Sequence, residues 1–121
     1  MPSPHLRAYP PETVIAEKFS AMVALGRANS RMKDYYDVWM LTRTFTLDPL
    51  RLRQAIAATF ARRVTAIPAL VPDGLSDAFA TDPAKQRQWD AFASNLAGEF
   101  PGLPVVVADI RQQLETFLGP T

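Results

Sequence analysis

The chain has 121 residues and a formal net charge of +1, with 48% apolar and 21% charged residues, a size and balance that fit one globular domain around a single core. Cysteine is absent, which excludes disulfides, thiolate chemistry and cysteine-built zinc sites together. No apolar run approaches the roughly 18 residues of a spanning helix, and the opening MPSPHLRAYPPE has no apolar signal core, so the expectation is a cytoplasmic protein with no membrane partner.

In chain order, HLRAY offers a short extended segment before Pro10 and Pro11, because a residue preceding proline favours extended backbone. His5, the one histidine, is expected in solvent there. A first helix opens at Pro11, where the missing N–H costs nothing, with Glu12 complementing the helix dipole. Ile15, Phe19, Met22, Val23 and Leu25 share a broad apolar arc at helical spacing. Glu17 falls on the opposite face with Thr13, Ser20 and Ala24 and reads as solvent-facing. Gly26 ends the helix. After GRANS a second helix is expected from about Ser30 as N-cap. Met32, Tyr35, Tyr36, Val38, Trp39, Met40 and Leu41 surround most of its circumference, which predicts burial on several sides.

Asp48-Pro49 marks the start of a third helix, with Leu52, Ile56 and Phe60 as its stripe. Pro68, Pro72 and Gly74 break the following linker. A short helical turn is expected around Leu75–Ala80. Asp82-Pro83 opens another helix, with Lys85, Trp89, Phe92 and Leu96 on one stripe. The last spans roughly Pro104–Leu118 and carries Val107, Ile110, Leu114, Phe117 and Leu118. The expected fold is all-α, a compact bundle of five to six helices over residues 1–121 with a short extended N-terminal segment.

Lys18 lies inside the apolar arc of the first helix, between Leu25 and Met22, with Val14, Ile15, Ala21 and Met22 as its helical neighbours. An unpaired ammonium there is costly, so it must reach water along its stem or meet a carboxylate. Asp34 and Asp37, three residues apart on the second helix, are the two candidates. Arg31 to Asp34 and Lys33 to Asp37 offer further neutralisation within that helix. A structural clamp of the helical hairpin explains this set, and so does a site that holds an anionic substrate. Between Arg27 and Arg63, eight basic residues face three acids. That excess suits a polyanion, and equally a solvated arginine-rich face. There is no phosphate-binding glycine loop, no metalloprotease motif and no Ser/His/Asp set.

AEKF followed by KDYYDVW, within YPPETVIAEKFSAMVALGRANSRMKDYYDVWML, closely resembles the C-terminal motifs of the AbiEii/AbiGii abortive-infection nucleotidyltransferase toxins. GLSDAF and QWDAF further along look like one subgroup of it. The resemblance implies a bacterial toxin of a toxin–antitoxin and phage-defence system, transferring a nucleotide from NTP with Mg²⁺, with tRNA as acceptor. By the same resemblance Lys18 would contact NTP phosphates, with Arg31 and Lys33 beside it, and Asp34 or Asp37 would position or activate the acceptor, Asp34 being favoured slightly. Such enzymes hold their metal on a Gly-Ser turn and an Asp-x-Asp pair, and neither occurs in these 121 residues. The chain is therefore expected to be the C-terminal, substrate-binding and catalysis-supporting helical part, inactive alone and with no metal site of its own. The alternative is a non-catalytic helical module for a protein partner, such as an antitoxin or a separately encoded catalytic half, and a third reading is a remnant with no activity. An apolar groove beside Tyr9, Phe19 and Tyr36 would be evidence for either reading in which a partner is missing.

Overall fold

A computed structural model describes residues 9–68 and 70–115. The expected extended segment, His5, Phe117 and Leu118 lie outside the described residues, apart from Tyr9 at the segment's end. Within them the chain forms six α-helices joined by loops and two 3-10 turns, with no strand. These are α1 (Pro11–Leu25), α2 (Met32–Thr44), α3 (Pro49–Arg62), α4 (Asp77–Thr81), α5 (Pro83–Ala93) and α6 (Leu103–Leu114), with 3-10 turns at Gly26–Ala28 and Asp73–Leu75. The all-α expectation holds. No helix among the described residues is long and apolar enough to cross a membrane.

The layering follows from which stripe each helix buries. α1 lies between α3 and α2, α2 packs in turn on α6, and α4 and α5 close the far side against α6. Ile15, Phe19 and Met22 are fully buried on α1, with the Phe19 ring 5.4 Å from Phe60 of α3. Leu25, expected within this arc, is the last residue of α1 and is exposed, because the chain turns away before the arc is complete. On the other side Tyr35 stacks on Phe79 of α4 at 5.2 Å, and Tyr36 meets Phe92 and Phe100 edge-on. From α6, Val106, Val107, Ile110 and Leu114 complete the core. Each such side chain contributes about 1.5–3 kcal/mol by leaving water.

The helix starts explain the loops. Asp48 caps α3, accepting from Leu50 and Arg51 N–H at 3.0 and 3.3 Å, and Asp82 does the same for α5, as the Asp-Pro pairs imply. Glu12 acts beyond its own helix dipole: it is 4% exposed and accepts the Asp48 N–H at 2.8 Å, tying the start of α1 to that of α3. Ser30 does not cap α2. The helix begins one residue later with Arg31 at its N-cap and no side-chain cap, while Asn29 Oδ1 accepts the Arg31 N–H at 2.8 Å. Glycine is required at position 74, where a Cβ would lie 2.7 Å from the Met22 carbonyl oxygen.

α3 ends in a Schellman arrangement, with Val64 N–H bonded to Ala61 O and Thr65 N–H to Phe60 O at 3.1 and 2.9 Å. The left-handed position of that motif, φ +52°, is occupied by Val64 rather than glycine. Its side chain is 93% exposed, so the about 1 kcal/mol of steric strain for an L residue there is not offset by packing. Val64→Gly is expected to raise unfolding free energy in urea by about 1 kcal/mol; a loss of stability would show that the left-handed valine carries no such strain.

Candidate functional site

The hairpin formed by α1 and α2 brings together the residues singled out in the sequence. Lys18 sits at the edge of the α1 arc, its side chain 25% exposed, and its ammonium donates to Asp34 Oδ1 at 3.0 Å and lies 3.4 Å from Asp37 Oδ2. It therefore does both things its position demands, meeting acids with its head while keeping contact with water. The seam is held from behind by Asp34, whose side chain is 3% exposed, and in front by Asp37 at 22%. The aspartates differ in burial because Asp34 shares the α2 face of Tyr35 and Val38, which are fully buried.

Two further cations complete the group. Lys33 donates to Asp37 Oδ2 at 2.8 Å, and Arg31 Nε approaches Asp34 Oδ2 at 3.1 Å. The Arg31 contact is an ion pair by distance without hydrogen-bond alignment, so the buried Oδ2 accepts no hydrogen bond. Arg31 and Lys33 are themselves largely exposed. Three cations thus surround two carboxylates, leaving one net positive charge on a partly open surface, and such a set attracts a phosphate oxygen. Beside Asp34, burial pushes the Tyr35 phenol well above its ordinary pKa; Asp34 and Asp73 add to this, and the Asn29 side chain opposes it. Tyr35 therefore stays a neutral donor to the Gly74 carbonyl, at 2.7 Å, and is no candidate base.

An apolar cleft of about 300 Å³ borders the group, lined by Tyr9, Pro11, Val14, Asp37, Met40, Leu41 and Phe45. Tyr9 and Val14 also border a second opening of about 550 Å³ with Thr13, Glu17 and Arg62. Of the three residues beside which a groove is sought, Tyr9 lines the apolar cleft, whereas Phe19 is fully buried and Tyr36 is committed to Phe92 and Phe100, so neither lines it.

Glu17 corrects the sequence reading. It is gripped by Arg62 and Arg63 from the end of α3 and accepts from the Thr59 hydroxyl at 3.3 Å. The 42 to 46 residues between these partners put the clamp beyond any helical-wheel argument. Sequence reasoning also missed Asn29, 1% exposed, and Lys85, 8% exposed, whose ammonium donates to the Asn29 carbonyl at 2.9 Å. Lys85 sits on an apolar stripe in the sequence, the same signal that singled out Lys18, but its one near acid, Asp82, is used as the N-cap of its own helix.

The residues present do not suit Mg²⁺. Among the described residues no three His, Cys, Asp or Glu side chains gather as a metal site. Asp34 and Asp37 are already neutralised by three cations, and the buried Asp34 oxygen that accepts no hydrogen bond faces Arg31. A divalent ion that wants several oxygen ligands would compete here against lysine and arginine.

The family model described as nucleotidyl transferase AbiEii toxin, of a Type IV toxin–antitoxin system, matches residues 1–116. Neither a curated protein nor a solved structure matches the chain.

Removing one member of a buried pair exposes the desolvation cost of the other, while replacing both with apolar groups is often neutral. Lys18→Met is expected to lower unfolding free energy by about 2 kcal/mol, below the usual range for a buried pair because Lys18 keeps partial contact with water. Lys18→Met combined with Asp34→Leu should recover most of that loss. Equal or additive losses in denaturant titrations would show that the two groups are not coupled.

Proposed function

The chain belongs to the AbiEii nucleotidyltransferase toxin family, and from that premise we propose that it is the helical, substrate-holding part of such an enzyme, which transfers a nucleotide from NTP to RNA, with tRNA as the acceptor. The observation that carries this reading is the grouping of Lys18, Arg31 and Lys33 on Asp34 and Asp37 at an open helical seam. In it, Lys18 gives up its contact with Asp37 for phosphate oxygens when the triphosphate arrives while keeping Asp34, and Arg31 and Lys33 flank the same anion. Charge complementarity of this kind, aimed at a phosphoryl group, is a large contributor to catalysis of its transfer. Asp34 is left with a free buried oxygen once Arg31 turns to the phosphates, and can accept a hydrogen bond from the acceptor hydroxyl; Asp37 is the less buried alternative for that role.

The metal-holding acids must come from elsewhere, since these 121 residues contain neither Gly-Ser nor Asp-x-Asp. A polypeptide carrying them would complete the enzyme. A second reading, a non-catalytic module for a protein partner, draws support from the apolar cleft at Tyr9, Val14, Met40, Leu41 and Phe45. A toxin–antitoxin family makes an antitoxin one candidate for that partner, and the separate catalytic half another.

The deciding assay measures transfer of labelled nucleotide to tRNA by the chain combined with a polypeptide bearing the two missing motifs. Lys18→Ala should reduce that transfer by about 10²-fold, as loss of one oriented donor to a transition-state oxyanion does, with the variant still folded. Unchanged transfer would remove Lys18 from the site. Capture of the second polypeptide with no nucleotide binding and no transfer would instead favour the non-catalytic module.

A further inference from the structure

Lys85 is the most deeply placed ammonium group among the described residues, and it has no carboxylate within ion-pair distance there. Burying a charge in this way is costly unless hydrogen bonds replace the lost water. Its Nζ donates to the Asn29 carbonyl at 2.9 Å, reaches Gln88 Oε1 at 3.5 Å and lies 5.5 Å from the centre of the Phe79 ring. An apolar side chain of the same length would fill this space without the penalty, so the charge is directed at what it holds. That is the carbonyl of Asn29, a residue itself almost completely buried in the turn between α1 and α2.

From Asn29 the contacts run continuously into the site. Asn29 Oδ1 accepts the Arg31 N–H at 2.8 Å, which fixes the N-cap residue of a helix that has no side-chain cap of its own. Arg31 Nε then approaches Asp34 Oδ2 at 3.1 Å, and Asp34 Oδ1 accepts from Lys18 at 3.0 Å. At the other end, Lys85 belongs to the first turn of α5, where Asp82 pins the backbone. A carbonyl held by an ammonium is a charge-assisted bond, about twice as strong as a neutral one. The turn is thereby anchored to a helix that contributes nothing else to the group.

We propose that Lys85 is a positioning residue for this site: by holding the Asn29 carbonyl it sets Arg31 against Asp34 and so sets the share of Lys18 available to phosphate. This inference rests on the reading of the group as a phosphate-holding site, but its geometric part is measured separately. Lys85 touches no substrate and acts only through Asn29 and Arg31.

The test uses the full chain, with ¹⁵N NMR of the Arg31 Nε–H resonance and calorimetric binding of tripolyphosphate as paired readouts. In Lys85→Met the Arg31 resonance should move toward that of a freely solvated arginine, and tripolyphosphate affinity should change by about fivefold, within the range for residues coupled through a contact network. Lys85→Arg, which retains a cationic donor, should restore both. A folded Lys85→Met protein with an unmoved Arg31 resonance overturns the proposal, whatever its affinity. If Lys85→Met does not fold, Lys85→Gln, which keeps a shorter donor, carries the same comparison. Should the unsubstituted chain bind no tripolyphosphate while Lys85→Met still releases Arg31, the phosphate reading fails and the positioning of Arg31 stands.

Discussion

The contact between Lys18 and Asp34 is the constraint around which the α1–α2 hairpin is arranged. A charged carboxylate that is almost completely buried is costly without a partner, and a lysine among Val14, Ile15, Ala21 and Met22 gains from one even while its stem reaches water. Each therefore answers the requirement of the other, at 3.0 Å. Their meeting fixes the rotation of α1 about its axis, since Ile15, Phe19 and Met22 must face the core while Lys18 faces α2. It also fixes the register of the turn, since Asp34 lies in the first turn of α2. Apolar burial supplies most of the stability; the ion pair ties α1 to α2 within that packing.

That arrangement bears on function because the pair is incomplete. Asp34 Oδ2 accepts no hydrogen bond, Arg31 reaches it without alignment, and Lys18 keeps a quarter of its side chain in water. A fully satisfied buried network rigidifies a core. This one retains capacity for a further polar group, beside a cleft that Asp37 lines. A structural clamp is neutral with two cations on its two carboxylates, and the third adds the positive charge from which a polyanion site benefits.

Much of this was legible in the sequence, for reasons that lie in particular residues. The Asp-Pro pairs at 48–49 and 82–83 mark helix starts because proline fixes φ and aspartate supplies the missing acceptor, and both cap as expected. The 3.6-residue period that placed Lys18 in an apolar arc also placed it facing Asp34, since only one neighbouring helix offered acids. What stayed hidden depends on tertiary geometry. Glu17 reads as solvent-facing on a wheel of α1 alone, and becomes a clamp only once Arg62 and Arg63 arrive from α3. Ser30 is a better N-cap by residue type than Arg31, yet Arg31 takes that position, its N–H bonded to the Asn29 side chain while Lys85, 56 residues along, holds the Asn29 carbonyl. Local propensity cannot weigh a partner that far along the chain.

The central claim is that the Lys18 ammonium trades its Asp37 contact for a phosphate oxygen. The most direct measurement follows the Lys18 Nζ resonance by NMR while ATP is titrated onto the folded chain. The account predicts a saturable shift of that resonance together with that of Arg31, reversed by added salt as an exposed ionic contact requires. A titration that perturbs only Arg62, Arg63 or other distant cations, with Lys18 unmoved at saturation, would contradict it.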